Sequence, residues 1–122
     1  MTINTGLRFT IDEYNRLAEL GFFHEDDRVE LIKGEIIPMA SKGTLHSTFS
    51  RRLIRELSKL ITNQATLQSQ DPIIIPPNSE SEPDIAILKN KDNDYLAHHP
   101  IAQDILLLID IAYPTLKSYK VT

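Results

Sequence analysis

The chain has 122 residues, 41% apolar and 25% charged, with a net charge of −4 and neither cysteine nor tryptophan. Such a length builds one small hydrophobic core, and the lack of cysteine excludes disulfides and thiolate zinc sites and fits a reducing cytoplasm. The acidic balance argues against a passive nucleic-acid-binding patch, though not against an enzyme in which bound cations place positive charge beside a phosphate.

No apolar stretch approaches the roughly 18 residues a membrane span needs. MTINTGLRFT has no basic segment followed by an apolar one, so it does not read as a secretory signal. The expectation is a single cytoplasmic domain over residues 1–122.

Thr10 to Leu20 reads as the first helix. Thr10 and Glu13 have capping-box spacing, Gly21 supplies a left-handed stop, and Tyr14, Leu17 and Ala18 form the apolar stripe. In RVELIKGEIIPM, two short apolar runs flank Lys33-Gly34, which predicts a tight antiparallel hairpin with Pro38 confining its second strand to an edge or an end. Glu30 falls on the face opposite Val29 and Leu31.

Thr44 to about Gln64 is the strongest helical pattern. Leu45, Phe49, Leu53, Leu57 and Ile61 recur every four residues and Ile54 and Leu60 widen the apolar stripe, while Arg51, Arg52, Arg55 and Lys59 lie mostly on other faces, as a solvated band does. Strands are then predicted over Thr66 to Ser69 running on through Ile73 to Ile75, over Ile85 to Leu88, and over DILLLIDIA, residues 104–112. A run as continuous as the last is normally buried on both faces of a mixed or parallel sheet. The polar stretch KNKDNDYLAHHP is long enough for a crossover between the last two strands. The order of elements predicts an α/β sandwich with a mixed sheet.

Asp84 opens one apolar strand and Asp110 lies within the next. Carboxylates that converge at neighbouring strand ends make a hard-oxygen site suited to Mg²⁺ or Mn²⁺. A carboxylate inside LLLIDIA is costly to bury unless it is paired, protonated or bound to a metal, and the plain alternative is that it meets solvent.

VELIKGEIIPMA, a glycine and His46 ahead of the long helix, SEPDIAIL, HHP and DILLLIDI follow one another in the order seen in the Uma-type restriction endonuclease family, of the PD-(D/E)XK nuclease superfamily. The chain resembles that family from about Phe9 to Leu116. The resemblance implies a restriction-endonuclease-like core, with a mixed sheet flanked by helices and the site at one sheet edge. Asp84 matches the family's PD aspartate, Asp110 the acidic residue of the second element, where glutamate is usual, and Glu30 a common third acid. His46 matches a histidine often found at the start of the long helix and reads as a structural hydrogen-bonding residue. His98 and His99 match the HP segment and read as loop structure.

The implied activity is metal-dependent hydrolysis of DNA phosphodiesters. Glu30, Asp84 and Asp110 would hold Mg²⁺ or Mn²⁺, and a lysine would orient the attacking water. Here the sequence departs from the family. Ala112 stands where a simple motif has its lysine, Tyr113 and Pro114 replace small polar residues, and Lys117 and Lys120 are the substitutes in reach. The helix and final strand that follow in the family are missing, which leaves the expectation of a C-terminally shortened domain. Two functions are compatible with this pattern. One is an endonuclease; the other is a catalytically inactive remnant that acts as a nucleic-acid or protein interaction module. Apolar surface left uncovered by a short C-terminus favours association, so a homodimer is also expected.

Overall fold

The computed structural model describes residues 6–39, 42–112 and 116–119. They form two helices and two four-stranded sheets, and the chain divides into two compact units.

The first unit comprises residues 1–41 and 74–81. Its helix α1 (Ile11–Glu19) starts where the sequence places it. The Glu13 amide donates to the Thr10 hydroxyl at 3.2 Å and the Thr10 amide to the Glu13 carboxylate at 2.8 Å, so two donors that the helix cannot use are both met. Strands β1 (Val29–Ile32) and β2 (Glu35–Pro38) pair antiparallel around Lys33-Gly34. Both turn residues have positive φ, 49° and 85°, as a two-residue hairpin turn requires. A Cβ at Gly34 would also lie 3.0 Å from the Arg8 side chain, so glycine is needed twice over.

With β4 (Ile73–Ile75) and β5 (Ser79–Ser81), this sheet runs β2-β1-β5-β4, and Pro38 ends an edge strand as expected. Tyr14, Leu31 and Ile36 are buried at its core, with Phe9, Ile11, Leu17, Phe23 and Val29 packed against them. Each fully buried aliphatic side chain contributes about 2 kcal/mol. Tyr14 satisfies its hydroxyl by donating to the Val29 carbonyl at 3.1 Å. Ala18, expected on the apolar stripe of α1, is exposed.

The second unit comprises residues 42–73 and 82–122. Helix α2 (Thr44–Ile61) packs on a sheet ordered β3-β6-β7-β8, in which β3 is Thr66–Gln68, β6 Ile85–Leu88, β7 Ile105–Ile111 and β8 Leu116–Tyr119. Strand β6 is wholly buried.

Several expectations are corrected here. The mixed or parallel sheet is replaced by a sheet whose neighbours β3-β6, β6-β7 and β7-β8 all pair antiparallel, so the segment after Leu88 is a return connection and not a crossover. Thr66–Gln68 and Ile73–Ile75 do not form one strand but belong to different sheets, and Ser79–Ser81 is a strand where the sequence suggests a loop. A strand also forms at Leu116–Tyr119, where no element is expected.

Strand β7 is not buried on both faces. Ile105 and Ile109 are buried, while Leu106 and Asp110 on the other face are exposed. A continuous apolar run permits burial of both faces but does not compel it. The expected inward stripe of α2 fails for a geometric reason. Residues repeated every four positions drift about 40° per step around a helix of 3.6 residues per turn. The buried line runs through Ser50, with Leu53, Ile54, Leu57 and Ile61 half-buried, and Leu45, Phe49 and Leu60 turn outward, 46%, 47% and 76% exposed.

Candidate functional site

In the β6–β7 register Ile85 stands opposite Ile109, which brings Asp84 and Asp110 across from one another just past the end of the ladder. There each carboxylate takes over a backbone amide that the ladder no longer serves. The Asp84 amide donates to Asp110 Oδ1 at 3.2 Å, and the Ile111 amide donates to Asp84 Oδ2 at 2.6 Å. The two aspartates expected to converge do so, as a reciprocal clamp that closes the open end of two strands.

Asp84 is buried, 7% exposed, whereas Asp110 is exposed. The buried charge is met from the start of α2. His46 Nε2 lies 2.9 Å from Asp84 Oδ1, and Lys42 Nζ lies 3.6 Å from the same oxygen. A carboxylate can only accept, so Nε2 carries the proton in this contact. Ser69 Oγ donates to the Asp84 carbonyl at 3.0 Å and holds the backbone in place. Nearby polar capacity goes unused. Among the described residues, Lys42 Nζ, His46 Nδ1 and Ser50 Oγ are buried without a hydrogen-bond partner. Spaced by four, the three residues form one row along the buried side of the helix and the turn that precedes it.

The remaining candidates are placed as follows. Glu30 is half-buried in β1, opposite Ile37, within the first unit. Lys117 stands opposite Asp110 in the β7–β8 register. Lys120 lies outside the described residues, as do Tyr113 and Pro114. His98 and His99 are exposed in a loop, where His98 Nδ1 lies 2.8 Å from the His99 carbonyl oxygen. Lys42 was not legible as a site residue, because a lysine beside a glycine in a polar stretch reads as ordinary loop. Its one signal is the spacing of four from His46.

The chain also matches the family model described as "Uma2: Putative restriction endonuclease" over residues 11–122. The chain belongs to that family. Its two helices and two sheets are consistent with a restriction-endonuclease-like core. No curated protein and no solved structure matches the chain.

The Uma-type family implies a divalent cation, and the donor set as placed does not fit one. Among the described residues no group of three or more His, Cys, Asp or Glu side chains is arranged to hold a metal. One oxygen of Asp84 faces an ammonium and an imidazole, and the other is committed to a backbone amide. A hard cation bound through Oδ1 would have to displace both the ammonium and the imidazole.

Proposed function

We propose that this member of the Uma-type family does not hydrolyse phosphodiesters and acts as an interaction module, with the paired aspartates serving to close the β6–β7 sheet end. One observation carries the reading. The buried charge of Asp84 is met from within the protein by Lys42 and His46. The surface available for interaction is the outer side of α2, where Leu45, Phe49, Arg52, Glu56 and Leu60 form an exposed stripe flanked by exposed Arg51, Arg55 and Lys59.

The test has two parts. Duplex DNA is incubated with the protein in millimolar Mg²⁺ or Mn²⁺, and the thermal midpoint is measured with and without the metal. A ligand at about 100 times its dissociation constant adds about 2.7 kcal/mol, enough to raise the midpoint of a domain this size by several degrees. The expected result is no cleavage and no shift. Cleavage that requires metal and disappears in Asp84→Ala overturns the proposal.

One observation favours a second reading, the endonuclease of the PD-(D/E)XK type. The registers stand Asp84, Asp110 and residue 117 in one row across three neighbouring strands. On that reading Asp84 and Asp110 would hold the cation, which would polarise the phosphate, and Lys42 would have to give up its contact with Asp84; the same assay decides between the two.

A further inference from the structure

The outer side of α2 carries a stripe that the described residues leave uncovered. Leu45, Phe49 and Leu60 are 46%, 47% and 76% exposed, and Arg52 and Glu56, also exposed, fall on the same line between them. Single exposed leucines are ordinary on a protein surface. Three large apolar side chains on one helix face, interrupted only by one positive and one negative residue, form a patch that calls for an occupant.

The order along the stripe is apolar, apolar, positive, negative, apolar, and this order says what fits. If a second α2 is laid antiparallel across the first, with a two-fold axis near residue 54, Arg52 meets the Glu56 position of the other copy and Glu56 meets its Arg52. The same operation sets Phe49 against the Leu60 position, while Leu45 extends the apolar end. A surface that matches itself under a two-fold rotation is the requirement for an isologous dimer.

We infer that this face of α2 is a dimerisation seam and that its occupant is a second copy of this chain. The inference rests on the reading of the chain as an interaction module and names the partner. It does not depend on whether Asp84 supports cleavage. In the monomer Glu56 makes an exposed contact with Lys59 at 3.6 Å. Such a surface pair contributes little, so exchanging it for Arg52 of the other copy opposes association weakly. The helix of 18 residues is about 27 Å long. A seam of that length lies at the low end of specific interface sizes, so the dimer forms and dissociates with concentration.

Sedimentation velocity of the full chain over a hundredfold range of concentration (roughly two decades in any monomer–dimer equilibrium) tests this. Wild-type protein is expected to pass from monomer to dimer. Arg52→Glu and Glu56→Arg each turn both cross-pairs into like-charge contacts and are expected to raise the dissociation constant about tenfold or more. Mixing the two variants restores opposite charges at both positions and is expected to restore the dimer. The doubly exchanged chain is expected to do so alone. Both substitutions are at exposed helical positions, so a folded protein is available for each measurement.

A monomer at every concentration overturns the inference, as does a dimer indifferent to both reversals. A monomer that binds short duplex DNA, and loses that binding in Arg52→Glu, also overturns it and assigns the face to nucleic acid. Cleavage assays bear on Asp84 and sedimentation on α2, so failure of one reading is distinguishable from failure of the other.

Discussion

Two buried aspartates of the second unit, Asp84 and Asp104, are both held by backbone amides and a lysine, yet their surroundings end differently. Asp104, 5% exposed, closes the short 3₁₀ turn Ala102–Asp104. Its Oδ2 accepts from the Ile101 amide at 2.9 Å and its Oδ1 meets Lys91 at 3.2 Å. Lys91 in turn lies 4.9 Å over the Tyr95 ring, and Tyr95 donates its hydroxyl to the Lys89 carbonyl. Around Asp84 the amides are met too, but among the described residues Lys42 Nζ, which pairs with Asp84 by charge at 3.6 Å, His46 Nδ1 and Ser50 Oγ have no hydrogen-bond partner. The first is a closed network that pins a loop. The second leaves buried polar groups unpaired, so it is an open network where the first is closed.

Asp84 carries the greatest predicted loss. Asp84→Asn keeps an oxygen for the Ile111 amide but leaves the Lys42 ammonium, its side chain only 16% exposed, without a counter-charge. The expected loss is about 3 kcal/mol, read as a drop in the midpoint of urea or thermal unfolding. Lys42→Met in the same background should recover part of it, because the pair acts as a unit. Additive losses would mean that Lys42 does not serve as the counter-ion of Asp84.

Asp104→Ala comes next. It removes the acceptor of the Ile101 amide and frees Lys91, which is more exposed than Lys42, so the loss is expected to be about 2 kcal/mol. Its pH dependence carries a sign. Burial raises the Asp104 carboxyl, but the Ile101 amide, the hydrogen bond and charge of Lys91, and the charge of His98 outweigh burial and hold it below its ordinary value. A carboxyl whose folded value is depressed contributes stability that is fully present above its unfolded value of about 3.9 and is lost as pH falls through the folded value. The gap between wild type and variant should therefore be constant near neutrality and narrow below about pH 4. A gap that widens in acid would contradict the assignment. Burial, and then the charge of Asp104, also raise the Tyr95 hydroxyl, so the variant should ionise Tyr95 at lower pH than wild type.

Local signals told most of the elements, and long-range ones told few of their partners. The Thr10–Glu13 box, the Lys33-Gly34 turn and the apolar run of β7 each depend on residues within a few positions, and each forms where expected. Whether β7 would pair parallel or antiparallel depends on which strand returns to it, and KNKDNDYLAHHP has a length that suits either. The convergence of Asp84 and Asp110 was legible because both are tied to strand ends. The counter-ions were not. Lys42 and His46 reach Asp84 only through the packing of α2 on the sheet, and Ser50, which lies deepest, is a small polar residue that no hydrophobic pattern selects.

Ser50 also gives the smallest and most discriminating effect. It is 5% exposed in the middle of α2, and its hydroxyl has no hydrogen-bond partner among the described residues. Burial of an unmet hydroxyl is unfavourable, and alanine is the better helix former by about 0.5 kcal/mol. Ser50→Ala should therefore be neutral or stabilise the protein by about 0.5–1 kcal/mol, a rise of a few degrees in the midpoint. The same truncation at a closed network runs the other way, as Asp104→Ala is expected to show. If Ser50→Ala instead costs more than about 1 kcal/mol, the hydroxyl is hydrogen-bonded in solution. The row of Lys42, His46 and Ser50 would then be a second closed network, and the distinction drawn between the two aspartates would fall with it.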